Sequence, residues 1–432
     1  MTFTDGVRFA STLAGPVSEA AWKNATYQVR SRLQARRIPS NVGITSFDPM
    51  DPATAASPFA AYRRFHAGPR VHYNPESSLW ILSRLDDVRT ALRADTVLSS
   101  ADGITRTIFG MPVVLTTDGE RHTAMRRQVL PGFTRAALDS WRPKIEQLAA
   151  ELVGDVLAAP GCDVVQRLTI PMPVRLIAHI LGVPDTDADA FRDWSEAAAG
   201  LGDVTFTRRG VTKMTAAVKG MQAIYSYLHQ QLRTGRLRGS NTILGKLLAK
   251  NDEGTLTHDE LFYIAMILLV AGNETTTNLL GAMFDTLARD PDSYGRIRAD
   301  HTLIAMAVEE QLRYSSPLQN LHRTALADFS VGDVTIPAGA RLSLSFGAAN
   351  RDPRIFDDPD AFRVDRNPSQ HVAFGYGPHL CLGAQLARTE AQAVLRELVN
   401  RVVRIEPASE TRWSSNSMLR GPEFMRIKLT PQ

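Results

Sequence analysis

The segment from Phe374 to Gly383 constrains this chain more than any other, because it places a cysteine among glycines. Cys381 is one of only two cysteines in 432 residues, and three glycines and a proline surround it just before a helical pattern begins. Glycine permits sharp turns and close approach of the backbone to a ligand. A thiolate at a helix N-terminus is favoured by exposed amide groups and by the helix dipole. Such a loop can offer one sulfur to a metal and hold a large flat cofactor; the alternative is a buried free cysteine in a glycine-rich turn.

The length and composition favour one large domain over several small ones. The chain has no long Gly/Ser- or Pro-rich linker, charge block or repeat, and its 44% hydrophobic and 22% charged residues are typical of a soluble globular protein. Helical patterns predict helices at 60–66, 84–94, 120–158 with a break at Pro131-Gly132, 174–182, 212–234, 257–289, 303–314 and 384–402. Alternating patterns predict strands at 71–73, 79–82 and 341–346. The expected fold class is mainly α with a small antiparallel β part.

Cysteine usage and the N-terminus indicate a reducing compartment. Cys162 and Cys381 alone make a disulfide framework unexpected, and no role is assigned to Cys162. The N-terminus lacks a basic start followed by an apolar core, and the longest apolar stretch, 264–272, falls far short of the about 20 residues that span a bilayer. We therefore expect a cytoplasmic protein without membrane contact. Residues 1–45 are expected to form an extension, either mobile or an extra helix, before the domain at 46–432.

The charge balance says little about partners. The net charge is +4, and the arginines are scattered without the aromatic-interleaved basic run that nucleic-acid binding favours. We expect no nucleic-acid partner. The modest positive excess either steers an acidic electron-transfer protein or is ordinary solubility charge.

The long helical pattern at 257–289 carries polar groups in an apolar setting. Its apolar middle, 264–270, leads into Glu274 and Thr275, and a carboxylate and an alcohol in a core helix are costly unless they act on something. Threonine hydroxyls can bond back to preceding carbonyls and bend a helix, so we expect a local opening near Gly272. The result would present an acid and an alcohol to a cavity; the alternative is a kinked helix with solvated polar groups.

These two segments together resemble the cytochrome P-450 family, the haem-thiolate monooxygenases. The spacing Phe-x-x-Gly-x-x-x-Cys-x-Gly at 374–383 resembles that family's haem-ligand loop, and 271–276 resembles its oxygen-activation motif. The resemblance covers the chain from about Asp48 onward and implies one P-450-like haem domain. It implies that the Cys381 thiolate ligates the iron of haem b, that Thr275 hydrogen-bonds dioxygen, and that Glu274 feeds a proton relay.

The resemblance also implies residues that hold the haem and the domain. Phe374, Gly377 and Gly383 would shape the surroundings of the sulfur. Propionate partners would come from three segments, through His122, Arg126, Arg323 and His379. The family often has Asp-Pro-Pro-x-His where this chain has 118–122 as Asp-Gly-Glu-Arg-His, which changes how His122 is presented.

A third family feature would be structural. Glu310 and Arg313, three residues apart on one helix face, would be joined by Arg366 from further along the chain. An isolated pair of this kind is usually a solvated contact. In the family, the three groups lock the chain before the haem loop, and losing one would leave a buried unpaired charge.

The implied function is insertion of one oxygen atom from O2 into a mid-sized apolar substrate, by hydroxylation, epoxidation or oxidative dealkylation. No dinucleotide or flavin segment is present, so a ferredoxin and its reductase would supply electrons, docking near Arg126, Arg127 and Arg388. A peroxide-driven haem-thiolate enzyme and a non-enzymatic haem sensor or carrier remain alternatives. The pocket is expected to draw on 105–112, 201–207, 270–271 and 318–321, where Gln319 and Asn320 suggest some polar function in the substrate.

Overall fold

A computed structural model describes residues 18–20, 22–27, 38–108, 110–111, 113–183, 190, 193–194, 197, 208–235, 239–240, 242–252 and 257–432. Helices dominate these residues, which confirms the expected fold class. The helices are α1 Pro52–Ala56, α2 Phe59–Ala67, α3 Leu85–Arg93, α4 Gly119–Val129, α5 Arg135–Leu157, α6 Pro171–Leu181, α7 Arg208–Thr234, α8 Ile243–Asp252, α9 His258–Arg289, α10 Pro291–Ala299, α11 Leu303–Ser315, α12 Phe346–Ala349 and α13 Ala384–Arg401. The strands are β1 Gly43–Ile44, β2 Val71–Asn74, β3 Leu79–Leu82, β4 Leu98–Ser99, β5 Asn320–Ala325, β6 Phe329–Val331, β7 Val334–Ile336, β8 Arg341–Ser345, β9 Val402–Pro407, β10 Arg412–Trp413, β11 Pro422–Phe424 and β12 Ile427–Pro431.

Helix α9 is the central element of the helical part. It runs for 32 residues, and Thr257 and Glu260 form a capping box in which each side chain accepts a hydrogen bond from the other residue's backbone N–H. It packs against α6, α11 and α13, and its apolar face lies in the larger of the two main hydrophobic cores. The helix is uninterrupted through 271–277, so the expected local opening is absent there.

The break predicted at Pro131-Gly132 falls in a 3₁₀ turn, Leu130–Phe133, between α4 and α5. Helix α6 ends at Gly182, as predicted, because its φ of 89° lies in the left-handed region that glycine adopts without strain.

The largest sheet has six strands in the order β1-β2-β3-β8-β5-β4. Most neighbouring pairs are antiparallel, but β1 with β2 and β3 with β8 are parallel. The parallel pairing of β3 and β8 is possible because the long helical part of the chain lies between them in sequence and serves as the crossover. Strand β5 has no polar alternation because all six of its residues are buried, which explains why periodicity did not predict it.

A cavity lies between two hydrophobic cores. The larger core joins α5, α6, α9, α11 and α13, and the smaller one joins the six-stranded sheet and α3. Side chains from both cores line the cavity, among them Met266 and Leu279 from the first and Leu92 and Leu321 from the second. In the described part of the chain, none of the helices has the length and apolar character needed to cross a membrane.

Candidate active site

The loop before α13 presents Cys381 to the cavity. Gly375 and Gly377 have φ values of 76° and 73°, which side-chain-bearing residues rarely adopt, and a 3₁₀ turn spans Gly377–His379. The Cys381 N–H donates to the carbonyl of Phe374 at 2.9 Å, closing the loop. The Cys381 side chain is accessible and lines the cavity.

The protein environment of Cys381 favours the thiol. Burial raises the pKa of Cys381, and the opposing contributions of the Gly383 N–H, Arg126 and Arg388 do not overcome it. The Gly383 N–H, Arg126 and Arg388 each lower the pKa of Cys381, which is the direction expected for groups placed around a ligating sulfur. A metal ion at this position would deprotonate a coordinating thiol.

Helix α9 forms another part of the cavity wall. Gly272, Glu274 and Thr275 all line it, so the structure brings the predicted acid and alcohol to the same cavity as Cys381. The Thr275 hydroxyl donates to the carbonyl of Ala271 at 2.9 Å, the predicted back-bond. A Cβ added at Gly272 would meet no atom within 4 Å, so this glycine opens onto free space.

A buried cation lies at one side of the cavity. Arg323 on β5 is only 2% exposed, and its Nη1 donates to the His322 carbonyl at 2.9 Å. Among the described residues it forms no ion pair with a carboxylate, and burial lowers its pKa to about 10. Asp118 and Asp95 act on this guanidinium only from a distance, so it is available to an anionic ligand.

Arg126, His122 and His379 lie around the Cys381 loop. Arg126 lines the cavity, and its Nη2 donates to the Leu380 carbonyl at 2.6 Å. The imidazole rings of His122 and His379 are 4.1 Å apart, and the Nε2 of His122 is buried without a hydrogen-bond partner. Burial lowers the pKa of His122 to about 4, aided by the nearby His379 and Arg126. Together with Arg323, three of the four predicted propionate partners line the cavity directly, and His122 lies behind His379.

Asp118 fixes the position of the turn before His122, where the sequence departs from the family's usual Asp-Pro-Pro-x-His. Its carboxylate accepts hydrogen bonds from the backbone N–H and hydroxyl of Ser100 and from the Ser99 hydroxyl, and lies 3.3 Å from His379 Nε2. Although burial alone would raise the pKa of Asp118, these donors hold it well below the usual range. The residue thus anchors α4 to β4 and to the Cys381 loop.

Of the three residues predicted to shape the surroundings of the sulfur, two line the cavity and one supports the loop from behind. Gly377 is not part of the cavity wall; a Cβ there would lie 2.8 Å from the Leu92 carbonyl, so this glycine lets the loop pack against the end of α3. Phe374 and Gly383 line the cavity, and the Arg388 guanidinium lies over the Phe374 ring at 4.5 Å. Gly383, like Gly272, has no atom within 4 Å of an added Cβ.

The Glu310 cluster forms as expected. Arg313 donates to the Glu310 carboxylate through Nε at 2.7 Å and Nη2 at 2.8 Å, and Arg366 donates through Nε at 3.0 Å. Glu310 and Arg313 are fully buried, and Arg313 also donates to three backbone carbonyls of the chain before the Cys381 loop. The cluster therefore fixes that part of the chain.

The remaining wall is almost entirely apolar. The cavity volume is about 410 Å³, and Leu318 and Leu321 contribute to its lining. Gln319 and Asn320 do not: Gln319 accepts a hydrogen bond from Tyr62 at 2.6 Å, and Asn320 is buried beside Ser417. The polar function expected in the substrate from these two residues therefore has no basis. Residues 201–207, also expected at the pocket, lie outside the described part of the chain, as do Phe109 and Pro112.

Sequence reasoning missed Glu390 of α13. It lines the cavity, is 2% exposed, and its Oε2 has no hydrogen-bond partner. Burial raises its pKa to about 8. Its position four residues after Leu386, on the buried face of α13, was the available signal, since a glutamate on such a face is rarely fully buried unless it is paired.

These features fit a haem. The Cys381 sulfur, open space in front of Gly272 and Gly383, and a buried arginine that forms no ion pair within the described residues match an iron-bearing flat macrocycle with two acidic side chains. The orphaned Nε2 of His122 offers a further polar contact near the same side.

Comparison with known proteins agrees with this geometry. The cytochrome P450 family model matches residues 207–412. The chain is 43% identical over 443 aligned positions to the beta-dihydromenaquinone-9 omega-hydroxylase of Mycobacterium tuberculosis, covering 98% of this chain and 90% of that protein. It is 33% identical to the cytochrome P450 monooxygenase PikC of Streptomyces venezuelae, covering 87% of this chain and 91% of that one.

Solved structures show the same fold. CYP109E1 from Bacillus megaterium in complex with testosterone matches with a TM-score of 0.79 and 32% identity, covering 87% of this chain and 99% of that chain. CalO2 matches with a TM-score of 0.82 and 27% identity, covering 90% and 99%. Because a relative at 43% identity spans almost the whole chain and the fold agrees with that of solved members, this chain belongs to the cytochrome P450 family and is a haem-containing monooxygenase.

Proposed function

We propose that this monooxygenase hydroxylates the terminal carbon of a long, uncharged, methyl-branched chain, such as the prenyl tail of a quinone. The observation that carries the proposal is the cavity lining. Arg126, Arg323, His379, Cys381 and Glu274 account for most of its charged or ionisable groups, and they lie at the cofactor end or on α9. The 43% identity to a beta-dihydromenaquinone-9 omega-hydroxylase supports a substrate of that class.

The apolar lining suits a long flexible chain. Four methionines contribute to it, Met111, Met221, Met266 and Met418. Methionine is unbranched and polarisable, so it adapts to irregular shapes better than branched residues do. An apolar chain lying against these side chains would be bound by burial of its surface. A substrate carboxylate would have no cationic partner among the described lining residues, because Arg126, Arg323 and His379 are assigned to the cofactor.

The cofactor would be held by the residues described above. Cys381 would bind the iron through its sulfur, with Phe374, Gly377 and Gly383 shaping its loop. Arg323, Arg126, His379 and His122 would contact the propionates. When bound, haem supplies reductive activation of O2, so that substrate, O2, two electrons and two protons give the hydroxylated product and one water.

The chain's own residues would supply the protons. Glu274 and Thr275 are adjacent on the cavity side of α9, and the Thr275 hydroxyl can release the Ala271 carbonyl and turn towards a reacting oxygen. Glu274 would replace the proton that Thr275 passes on. Proton transfer through positioned groups of this kind commonly contributes about 10²–10⁴-fold in rate.

An external ferredoxin with its reductase would supply the electrons. Arg127, which follows the Arg126 that donates to the Leu380 carbonyl, is exposed, and Leu380 has 45% of its surface accessible. Arg388, expected in this contact, is engaged by the Glu309 carboxylate at 2.5 and 3.0 Å, so Arg127 carries more of the expected attraction. An acidic partner would be steered by this charge, and its reduction rate would fall as salt rises.

Two measurements test the proposal. The reduced CO spectrum should show the Soret band of a thiolate-ligated haem, and Cys381→Ser should abolish that position. Incubation of a prenylated quinone with the enzyme, ferredoxin and reductase should add one oxygen to the terminal prenyl carbon, as located by mass spectrometric fragmentation. Oxidation only at internal carbons, or turnover with hydrogen peroxide but not with ferredoxin, would overturn the substrate position or the electron source.

A further inference from the structure

The N-terminal helical residues 18–20 and 22–27, here called the strap, contact a loop that forms part of the cavity wall. That loop, here called the cavity loop, comprises the described residues from 100 to 113 and connects β4 to the 3₁₀ turn at Val114–Thr116. Ile104, Thr105 and Met111 of the cavity loop line the cavity.

The inner side of the cavity loop is held by the sheet. Arg341 on β8 donates through Nη2 to the carbonyls of Gly103, at 2.6 Å, and of Thr105. The backbone N–H of His322 on β5 donates to the Ile104 carbonyl at 3.0 Å. Three successive carbonyl positions are therefore fixed from below by two central strands.

The outer side of the cavity loop is held by the strap. The Asn24 amide nitrogen donates to the Ile108 carbonyl at 2.7 Å, and the Ile108 N–H donates to Asn24 Oδ1 at 3.1 Å. One side chain thus satisfies both backbone groups of Ile108, whose exposure is only 4%. Lys23 adds an ion pair with Asp102 of the same loop at 2.8 Å.

The strap is itself anchored to the body of the molecule. The Tyr27 hydroxyl donates to the Ser78 carbonyl at 2.6 Å, in the turn between β2 and β3. Burial raises the pKa of Tyr27, which keeps the hydroxyl protonated as a donor. The strap therefore connects the cavity loop to the rigid sheet along a second route, through Tyr27 and the turn that holds Ser78.

We propose that Asn24 is a positioning residue, through which the strap holds the cavity loop at Ile108 and so sets the wall that long apolar substrates contact. The proposal rests on the proposed function only for the length of the substrate. Without Asn24, Ile108 would lose both backbone partners, and the segment between the sheet-held carbonyls and Met111 would open. Haem binding at Cys381 would be unaffected, because the strap contacts none of the cofactor-holding residues through the bonds described.

Hydrogen exchange of the haem-loaded enzyme tests the contact directly. In Asn24→Ala, backbone amides of residues 106–108, beyond the carbonyls held by the sheet, should exchange about tenfold faster than in the natural protein, since two hydrogen bonds are lost at Ile108. Thr26→Ala is the matched control, because its hydroxyl donates to the strap's own Trp22 carbonyl and is exposed. Exchange in Asn24→Ala as slow as in the control would overturn the proposal.

Ligand titration tests whether the contact shapes the cavity. The probes are 1-methylimidazole and 1-dodecylimidazole, which offer the same nitrogen to the iron but differ in the apolar chain that reaches the wall. Asn24→Ala should weaken 1-dodecylimidazole about tenfold while leaving 1-methylimidazole within twofold, with an unchanged reduced CO spectrum. Equal weakening of both probes, or of neither, would overturn the positioning role. Neither readout needs the physiological substrate, so failure to hydroxylate a prenyl chain would count against the proposed function alone.

Discussion

The single hydroxyl of Thr275 has two roles: a hydrogen bond within its own helix and the proposed transfer of protons in the cavity. In the structure it donates to the Ala271 carbonyl within its own helix, at 2.9 Å, while the same residue lines the cavity. A threonine hydroxyl that donates to a carbonyl of its own helix needs no water or ligand as a partner, so this conformation can persist between turnovers. The residue therefore needs the hydroxyl, and not its volume, for the proposed role.

We expect Thr275→Ala to bind haem and substrate normally but to yield about tenfold less product per electron pair consumed, because the group that passes protons is missing. Thr275→Ser keeps the hydroxyl and should retain most of the coupling, that is, the fraction of electron pairs that end in product. The measurement is product formed and hydrogen peroxide released per electron pair. Full coupling in Thr275→Ala would remove this residue from the proton path.

Glu390 makes stability depend on pH. Its pKa is about 8 in the folded protein, against 4.5 for the ordinary carboxyl, so the folded state binds its proton more tightly than the unfolded state. A raised carboxyl pKa means that stability from this group is fully present below pH 4.5 and falls as pH rises towards 8. The slope is at most about 1.4 kcal/mol per pH unit.

Glu390→Gln removes this dependence because the amide stays neutral. We expect the variant and the natural protein to unfold at similar denaturant concentrations near pH 5, and the variant to be more stable at pH 8.5. Denaturant unfolding at the two pH values measures the difference. A constant difference at both would show that Glu390 does not titrate in this range.

At the scale of elements, the Glu310 cluster fastens α11 to the chain before the Cys381 loop. We expect Glu310→Gln to lower the free energy of unfolding by about 3–5 kcal/mol, because it leaves the buried Arg313 and Arg366 uncompensated. Asp139→Asn is the matched control: Asp139 and Arg142 have the same spacing, lie 3.3 Å apart and are half exposed. That control should cost no more than about 1 kcal/mol in chemical unfolding. An equal loss of unfolding free energy in the two variants would mean that burial does not make the Glu310 ion pair more important for stability than the exposed one.

The contact between α3 and the Cys381 loop depends on Gly377. We expect Gly377→Ala to release haem faster and to unfold at lower temperature. Alanine would have to adopt the left-handed backbone conformation of Gly377, and its Cβ would lie 2.8 Å from the Leu92 carbonyl oxygen. Gly295→Ala in α10 is the control, because its Cβ would meet nothing within 4 Å and alanine favours helix. Haem transfer to apomyoglobin gives the release rate. Unchanged release in Gly377→Ala would show that the loop can move away from α3.

At the scale of the molecule, the cavity lies between the two cores, so the cofactor would contact both. A ligand that binds only the folded protein stabilises it by mass action. We expect loss of the Soret band and loss of helical circular dichroism to occur at one temperature in the haem-loaded protein, and cofactor-depleted protein to unfold at a lower one. Separate transitions in the loaded protein would show that the two cores unfold independently.

Local patterns determined the elements and the chemical inventory. The capping box at Thr257, the stop at Gly182 and the glycines around Cys381 are short-range features, so they could be predicted from residue order alone. The same holds for Glu274 and Thr275, since adjacent residues on one helix stay together in any fold. Strand β5 could not be predicted, because burial of all its residues removed the alternation that marks a strand.

Tertiary structure alone decided which side chains meet and how much water surrounds them. It turned Gln319 towards Tyr62 rather than into the cavity, paired Arg388 with Glu309, and left Arg323 buried without an ion pair to any carboxylate of the described residues. It also set the burial that raises the pKa of the Cys381 thiol, because desolvation depends on every element packed around the sulfur. The cysteine, its glycines and its helix followed from the sequence; the cavity, the buried charges and the strap that holds its wall depend on contacts between distant residues, which no local pattern records.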